Sequence, residues 1–124
     1  MTEFLSSVPI VPARDIEATT GWYRDTLGFD VFLAMDDYGI VGRGEAWVHF
    51  YGPSEIAPED SITMFRVGVH GIDDLYEYCT AEGILHPDQP LAEQPWGFRE
   101  FSVVDVDGNL VTFFEPPSGY DPRA

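Results

Sequence analysis

SVPIVPARDIEATTGWYRDTLGF, residues 7–29, carries the signals of a strand passing directly into a helix. Residues 7–12 (SVPIVP) are a short apolar run read as a strand; Pro9 and Pro12 fit either a preset extended arm or, more plainly, a strand at a sheet edge. Asp15 is the candidate N-cap, with Glu17 adding negative charge to the first turn. Ile16, Thr19, Trp22, Tyr23 and Leu27 then recur at roughly helical spacing. Gly28 stands where a helix C-terminus calls for a left-handed residue.

Outward from this stretch, residues 29–35, 38–43 and 47–51 read as three further strands, broken by Asp36-Asp37 and by Gly42 and Gly44. The same order of elements then returns. Residues 62–69 are a β-rich run, and Asp73-Asp74 open a helix through Leu75, Tyr76, Cys79 and Ile84, with Gly83 near its end as Gly28 was near the first. Later strands are expected at 84–85 or nearby, at 99–104 and at 110–115, the last two joined by the turn Asp107-Gly108-Asn109. Residues 53–60 (PSEIAPED) form an acidic, proline-containing linker. The chain is therefore expected to be one α+β domain over 1–124: a first βαβββ half over 1–52, the linker 53–60, a second βαβββ half over 61–116 and a tail over 117–124. Trp22 and Tyr23 in the first helix, and Tyr76 and Tyr78 in the second, are assigned to helix packing.

Composition narrows the function. Six basic against 22 acidic side chains leave a net charge of −16, spread along the chain. Such a field repels nucleic acid and anionic membranes and draws in cations; solubility or a salty habitat is its plainer explanation. The lone cysteine, Cys79, excludes an internal disulfide and reads as a buried structural thiol. No apolar run reaches the ~18 residues of a membrane span, and the start of the chain lacks the pattern of a signal peptide, so a cytoplasmic location is expected.

Residues 8–29 together with EQPWGFREFSVVDVDGNLVTFFEP, residues 93–116, resemble the vicinal-oxygen-chelate superfamily, and within it the bleomycin-resistance proteins. Ala13-Arg14-Asp15 and Leu27-Gly28-Phe29 are shared across the superfamily. Gln94-Pro95-Trp96-Gly97, followed by Arg99-Glu100-Phe101 and Asp107-Gly108-Asn109, is more typical of the bleomycin-resistance branch. The resemblance implies a glyoxalase/bleomycin-resistance-like fold whose concave mixed sheets each form half a cleft. It also implies a homodimer with clefts shared between subunits and the N-terminal strand often exchanged.

Metalloenzymes of this superfamily hold a divalent ion with His, Gln or Glu on matched strands, because such cations need imidazole or carboxylate donors at about 2 Å. By the resemblance, those positions fall on Val8, Met64 and Thr112, none a credible ligand. His49 lies near the remaining position and reads more readily as a hydrogen-bonding or stacking group; His70 and His86 read as loop residues. No catalytic residue, metal site or cofactor is expected, although a metal can arrive bound to the ligand.

Strand alternation, with the family's metal positions marking the cleft face, assigns Phe32, Trp47, His49, Tyr51, Met64, Arg66 and Thr112 to the cleft. An aromatic concave surface with a few polar groups suits a flat heteroaromatic ligand. By resemblance, Trp96 and Tyr38 stack on the bithiazole of bleomycin. The candidate ligand-binding set is thus Trp96, Tyr38, Phe32, Trp47, His49, Tyr51 and Arg66, with Asp60 at the end of the acidic linker. Several have a plainer role: Trp96 as a cap on the sheet end, Tyr38 as a solvent-lapped hairpin aromatic, Trp47 and Tyr51 as interface residues, Arg66 as the ion-pair partner of Glu100 or another carboxylate. The expected function is sequestration of a cationic bleomycin-type glycopeptide without chemical change. A metal-dependent superfamily enzyme of glyoxalase or dioxygenase type and a binding module for another planar molecule are the alternatives.

Overall fold

The computed structural model describes residues 1–121; the end of the expected tail, residues 122–124, lies outside them. The chain divides into two compact units, one over Met1–Ala57 and one from Pro58 onward.

In the first unit, β1 (Ile10–Pro12) leads into α1 (Ile16–Leu27), followed by β2 (Asp30–Ala34), β3 (Tyr38–Arg43) and β4 (Ala46–Tyr51). They form a mixed sheet of order β1-β4-β3-β2, with β1 parallel to β4 and the other pairs antiparallel. The helix signals behave as expected. The Asp15 side chain accepts from the Ala18 N–H at 3.0 Å, and Gly28 closes the helix at φ 70°, where a side chain would be strained. Alternation puts Val41, Val48 and Phe50 against α1, which contributes Ile16, Tyr23 and Leu27. The Tyr23 ring is the centre of this core, 5.6 Å from Phe29 and 5.0 Å from Phe50. Gly42 lies within β3 rather than breaking it. It pairs with Trp47 across the ladder, and a Cβ there would come within 3.0 Å of the indole.

The second unit opens with a single 3-10 turn, Pro58–Asp60, and then repeats the plan: β5 (Met64–Gly68), α2 (Ile72–Glu82), β6 (Ala92–Glu93), β7 (Arg99–Val104) and β8 (Leu110–Glu115). Its sheet order, β5-β8-β7-β6 with β5 parallel to β8, is that of the first unit. Phe65, Ile72, Cys79, Phe101, Val103, Val111 and Phe113 form its core. Burial there pushes the Cys79 thiol up to about 11, with the charge of Glu82 adding to the effect, so the thiolate is scarce at neutral pH. The β7–β8 turn is built on Asp105, whose carboxylate accepts from the Asp107 and Asn109 backbone N–H groups, both at 2.9 Å, and from the Asn109 side chain. Asn109 in turn accepts from the Ser61 hydroxyl at 2.7 Å, tying the turn to the start of β5.

Four further expectations need correction. The first strand is only Ile10–Pro12, since Pro9 has no N–H to give the ladder. Residues 84–85 make a single bridge, Leu85 to Val103; the short edge strand is Ala92–Glu93, because the intervening segment turns away at Pro87-Asp88. Helix α2 starts at Ile72 behind Gly71, with no side-chain N-cap of its own. Tyr76 packs edge-on to Phe101 at 5.1 Å, but Tyr78 points outward and is 42% exposed.

Candidate functional site

Each unit presents a distinct set of candidate side chains on its sheet. On the first, the face opposite α1 carries Trp47, His49 and Tyr51, as alternation along β4 requires, with Phe32 of β2 beside Trp47. A register shift between Val31 and Leu33 makes Phe32 the extra residue of a bulge, which re-aims its side chain. Its ring lies 4.6 Å from Trp47 at 38°, and the two remain 58% and 38% exposed. Tyr38 and His49 form a second pair: the phenol and Nδ1 share a 2.7 Å hydrogen bond, and the rings meet edge-on at 5.5 Å. Tyr51 pairs with Tyr38 across the ladder and is exposed.

On the second unit, a cavity of about 410 Å3 is lined by Met64 and Arg66 of β5, Glu100, Phe101 and Ser102 of β7, Thr112 of β8, and Asp88 to Pro90, Ala92, Gln94 and Trp96 of the segment between α2 and β7. Its aromatic wall is Trp96, 59% exposed yet fixed in place: its Nε1–H donates to Glu100 Oε2 at 2.7 Å. Glu100 is only 6% exposed. Its other partner is Arg66, which reaches both carboxylate oxygens, with Nη1 to Oε1 at 3.2 Å, while the guanidinium lies 4.8 Å from the Phe114 ring centre. Burial works to raise the Glu100 pKa. The hydrogen bonds from Arg66 and Trp96 and the charge of Arg66 outweigh it, holding the carboxyl below the usual glutamate range. The floor is hydroxylic, with Ser102 donating to Gln89 Oε1 at 2.6 Å and sharing a 2.8 Å bond with Thr112.

Trp96 and Arg66 are thus brought together on the second unit, and Phe32 with Trp47 and Tyr38 with His49 on the first. Asp60 stands apart, exposed on the 3-10 turn and absent from the cavity lining. Among the described residues, no group of three or more His, Cys, Asp or Glu converges as a metal set would. Sequence reasoning had Glu100 only as a partner for Arg66 and missed Gln89 and Ser102. The signal was present for two of them: in strand 99–104, Glu100 and Ser102 alternate with core Phe101 and Val103.

A duplicated βαβββ plan, with the same strand order in both sheets, defines the class. The chain belongs to the Glyoxalase/Bleomycin resistance protein/Dioxygenase superfamily, whose family model matches residues 7–113. Among curated proteins, the bleomycin resistance protein of Geobacillus stearothermophilus is 33% identical over 127 aligned positions, covering 90% of this chain and 96% of the relative. The bleomycin-binding protein of Streptomyces verticillus, solved with copper(II)-bleomycin, is 30% identical with a TM-score of 0.78, covering 95% of this chain and all of that one. The bleomycin resistance determinant encoded on transposon Tn5 aligns with a TM-score of 0.79 at 23% identity, covering 91% of this chain and 98% of the other.

Proposed function

We propose that this chain binds a bleomycin-type glycopeptide antibiotic and confers resistance by sequestering it, without changing a bond in the drug. The observation that carries this reading is Trp96: a large aromatic surface left open to solvent, yet held as the wall of a cavity of about 410 Å3. An indole so presented suits a flat heteroaromatic ring, and each such stack adds about 0.5–1.5 kcal/mol beyond the area it buries. The curated relative and the copper(II)-bleomycin complex support the choice of ligand. On the first unit, the exposed aromatic pair Phe32–Trp47, with Tyr38, His49 and Tyr51, is proposed as an aromatic ligand-binding surface in its own right.

The net charge of −16 favours capture of a cationic drug, acting on the association rate more than on final affinity. Asp60 contributes to that field without lining the cavity. No resident metal is part of the reading. Met64 and Thr112 carry poor donors for a hard or borderline cation, the Thr112 hydroxyl is already bonded to Ser102, and Val8 has no donor. A metal bound by the drug needs none from the protein. The working form is proposed to be a homodimer, with exchange of the N-terminal strand as its variant, acting in the cytoplasm before the drug reaches DNA.

The test is a titration of the purified protein with metal-free and copper-loaded bleomycin, followed by calorimetry and tryptophan fluorescence. Saturation at about one ligand per subunit is expected, weakened roughly tenfold or more by Trp96→Ala, with bleomycin of unchanged mass recovered afterwards. No binding at tens of micromolar, or recovery of a modified drug, would reject the reading.

A further inference from the structure

Trp96 occupies a short turn between β6 and β7, in which the Gln94 N–H donates to Phe98 O and the Gly97 N–H to Gln94 O, both at 2.8 Å, with Gly97 at φ 90°. The turn fixes the backbone but not the indole. A side chain 59% exposed gains little from packing, and left to itself it would sample several rotamers or fold onto nearby apolar surface and fill the cavity. The polar anchor in place is the Glu100 carboxylate at 2.7 Å. That carboxylate is itself fixed, since it is 6% exposed on a central strand and held by Arg66, which in turn rests on Phe114, stacked on Phe98 at 5.5 Å.

We infer that Glu100 is the positioning residue for Trp96: it touches no ligand in this role but holds the indole upright as the open wall of the cavity. The inference deepens the drug-binding reading and rests on it for its effect on affinity. Preorganisation of this kind removes an ordering cost from binding, so its loss appears in affinity even when every ligand-contacting group is intact.

Two measurements test it. In proton–nitrogen spectra of the free, full-length protein, the Trp96 indole N–H is identified by its disappearance in Trp96→Phe. It is expected downfield and slow to exchange with water. Glu100→Ala should move it upfield and speed its exchange, while Glu100→Gln, which keeps an acceptor and the side-chain volume, should give an intermediate result and serves if the alanine variant fails to fold. An unchanged indole signal in either variant overturns the inference. In bleomycin titrations, Glu100→Ala should weaken binding about tenfold, Glu100→Gln less, and Glu100→Ala should add nothing in a Trp96→Phe background. An equal loss in both backgrounds shows that Glu100 acts through something other than the indole and also overturns it. If the wild type does not bind bleomycin, the drug reading falls, and the spectra of the free protein still decide what Glu100 does.

Discussion

Glu100 is the residue on which the second unit's site turns, because it combines burial with two hydrogen-bonding partners. A carboxyl whose folded-state pKa is lowered contributes stability above its unfolded value and loses it as pH falls through the folded value. Glu100 is such a group, its charge favoured by Arg66 and Trp96 against the cost of burial. The difference in unfolding free energy between wild type and Glu100→Gln should therefore be constant near neutrality. It should shrink once pH drops through the ordinary glutamate range and below. Urea unfolding of both proteins from neutral to acidic pH measures this, and a difference that does not change with pH would show that the charged form gains nothing from its partners. Arg66 is half-exposed, so the effect is smaller than that of a fully buried pair.

At the level of elements, the two helices share geometry and differ in how they begin. Helix α1 carries its own N-cap, Asp15. Helix α2 begins behind Gly71 and borrows a cap from β8: Glu115 Oε1 accepts from the Gly71 N–H at 2.7 Å and the Ile72 N–H at 3.0 Å. This places a negative charge at the helix's positive end and ties α2 to the end of an inner strand of the sheet. Arg99 of β7 adds a second tie through Asp73, at 2.7 Å and 2.9 Å, but both side chains are well exposed and the pair is worth little. Glu115→Ala should thus cost about 0.5–2 kcal/mol, as loss of an ordinary N-cap does, and Arg99→Ala distinctly less. Urea midpoints at neutral pH give the comparison, and equal costs would contradict it.

Across the whole molecule, the charge of −16 is the largest departure from an ordinary domain. Self-repulsion at that density opposes the compact state, and salt screens it, the Debye length falling from about 10 Å at 0.1 M to about 3 Å at 1 M. The melting temperature should rise with sodium chloride over this range, while the association rate of a cationic ligand falls. Thermal melts and stopped-flow binding on the same preparation read both, and a melting temperature that is flat or falls with salt would mean the acidic groups are too dispersed to repel one another.

What the sequence determined by itself was the repeated order of elements, one well-formed helix with both its caps, and the faces of the strands. These are local matters: an N-cap reaches three residues, a strand alternates every two, and Gly28 and Gly83 end their helices by backbone conformation alone. Trp96 stood out through its motif and Phe32, Trp47 and His49 through alternation, so much of the candidate surface was legible before any coordinates. Tertiary structure alone decided the rest. Residues 84–85 held too little chain to pair as a strand once the segment turned at Pro87, and Tyr78 had the right residue type on the wrong side of α2. The α2 cap came from Glu115, 44 residues beyond Gly71. The anchoring of Trp96 required β5, β7 and the turn before β7 to meet at one carboxylate. Such contacts depend on where the backbone places distant atoms in space, and no pattern of neighbouring residues encodes that.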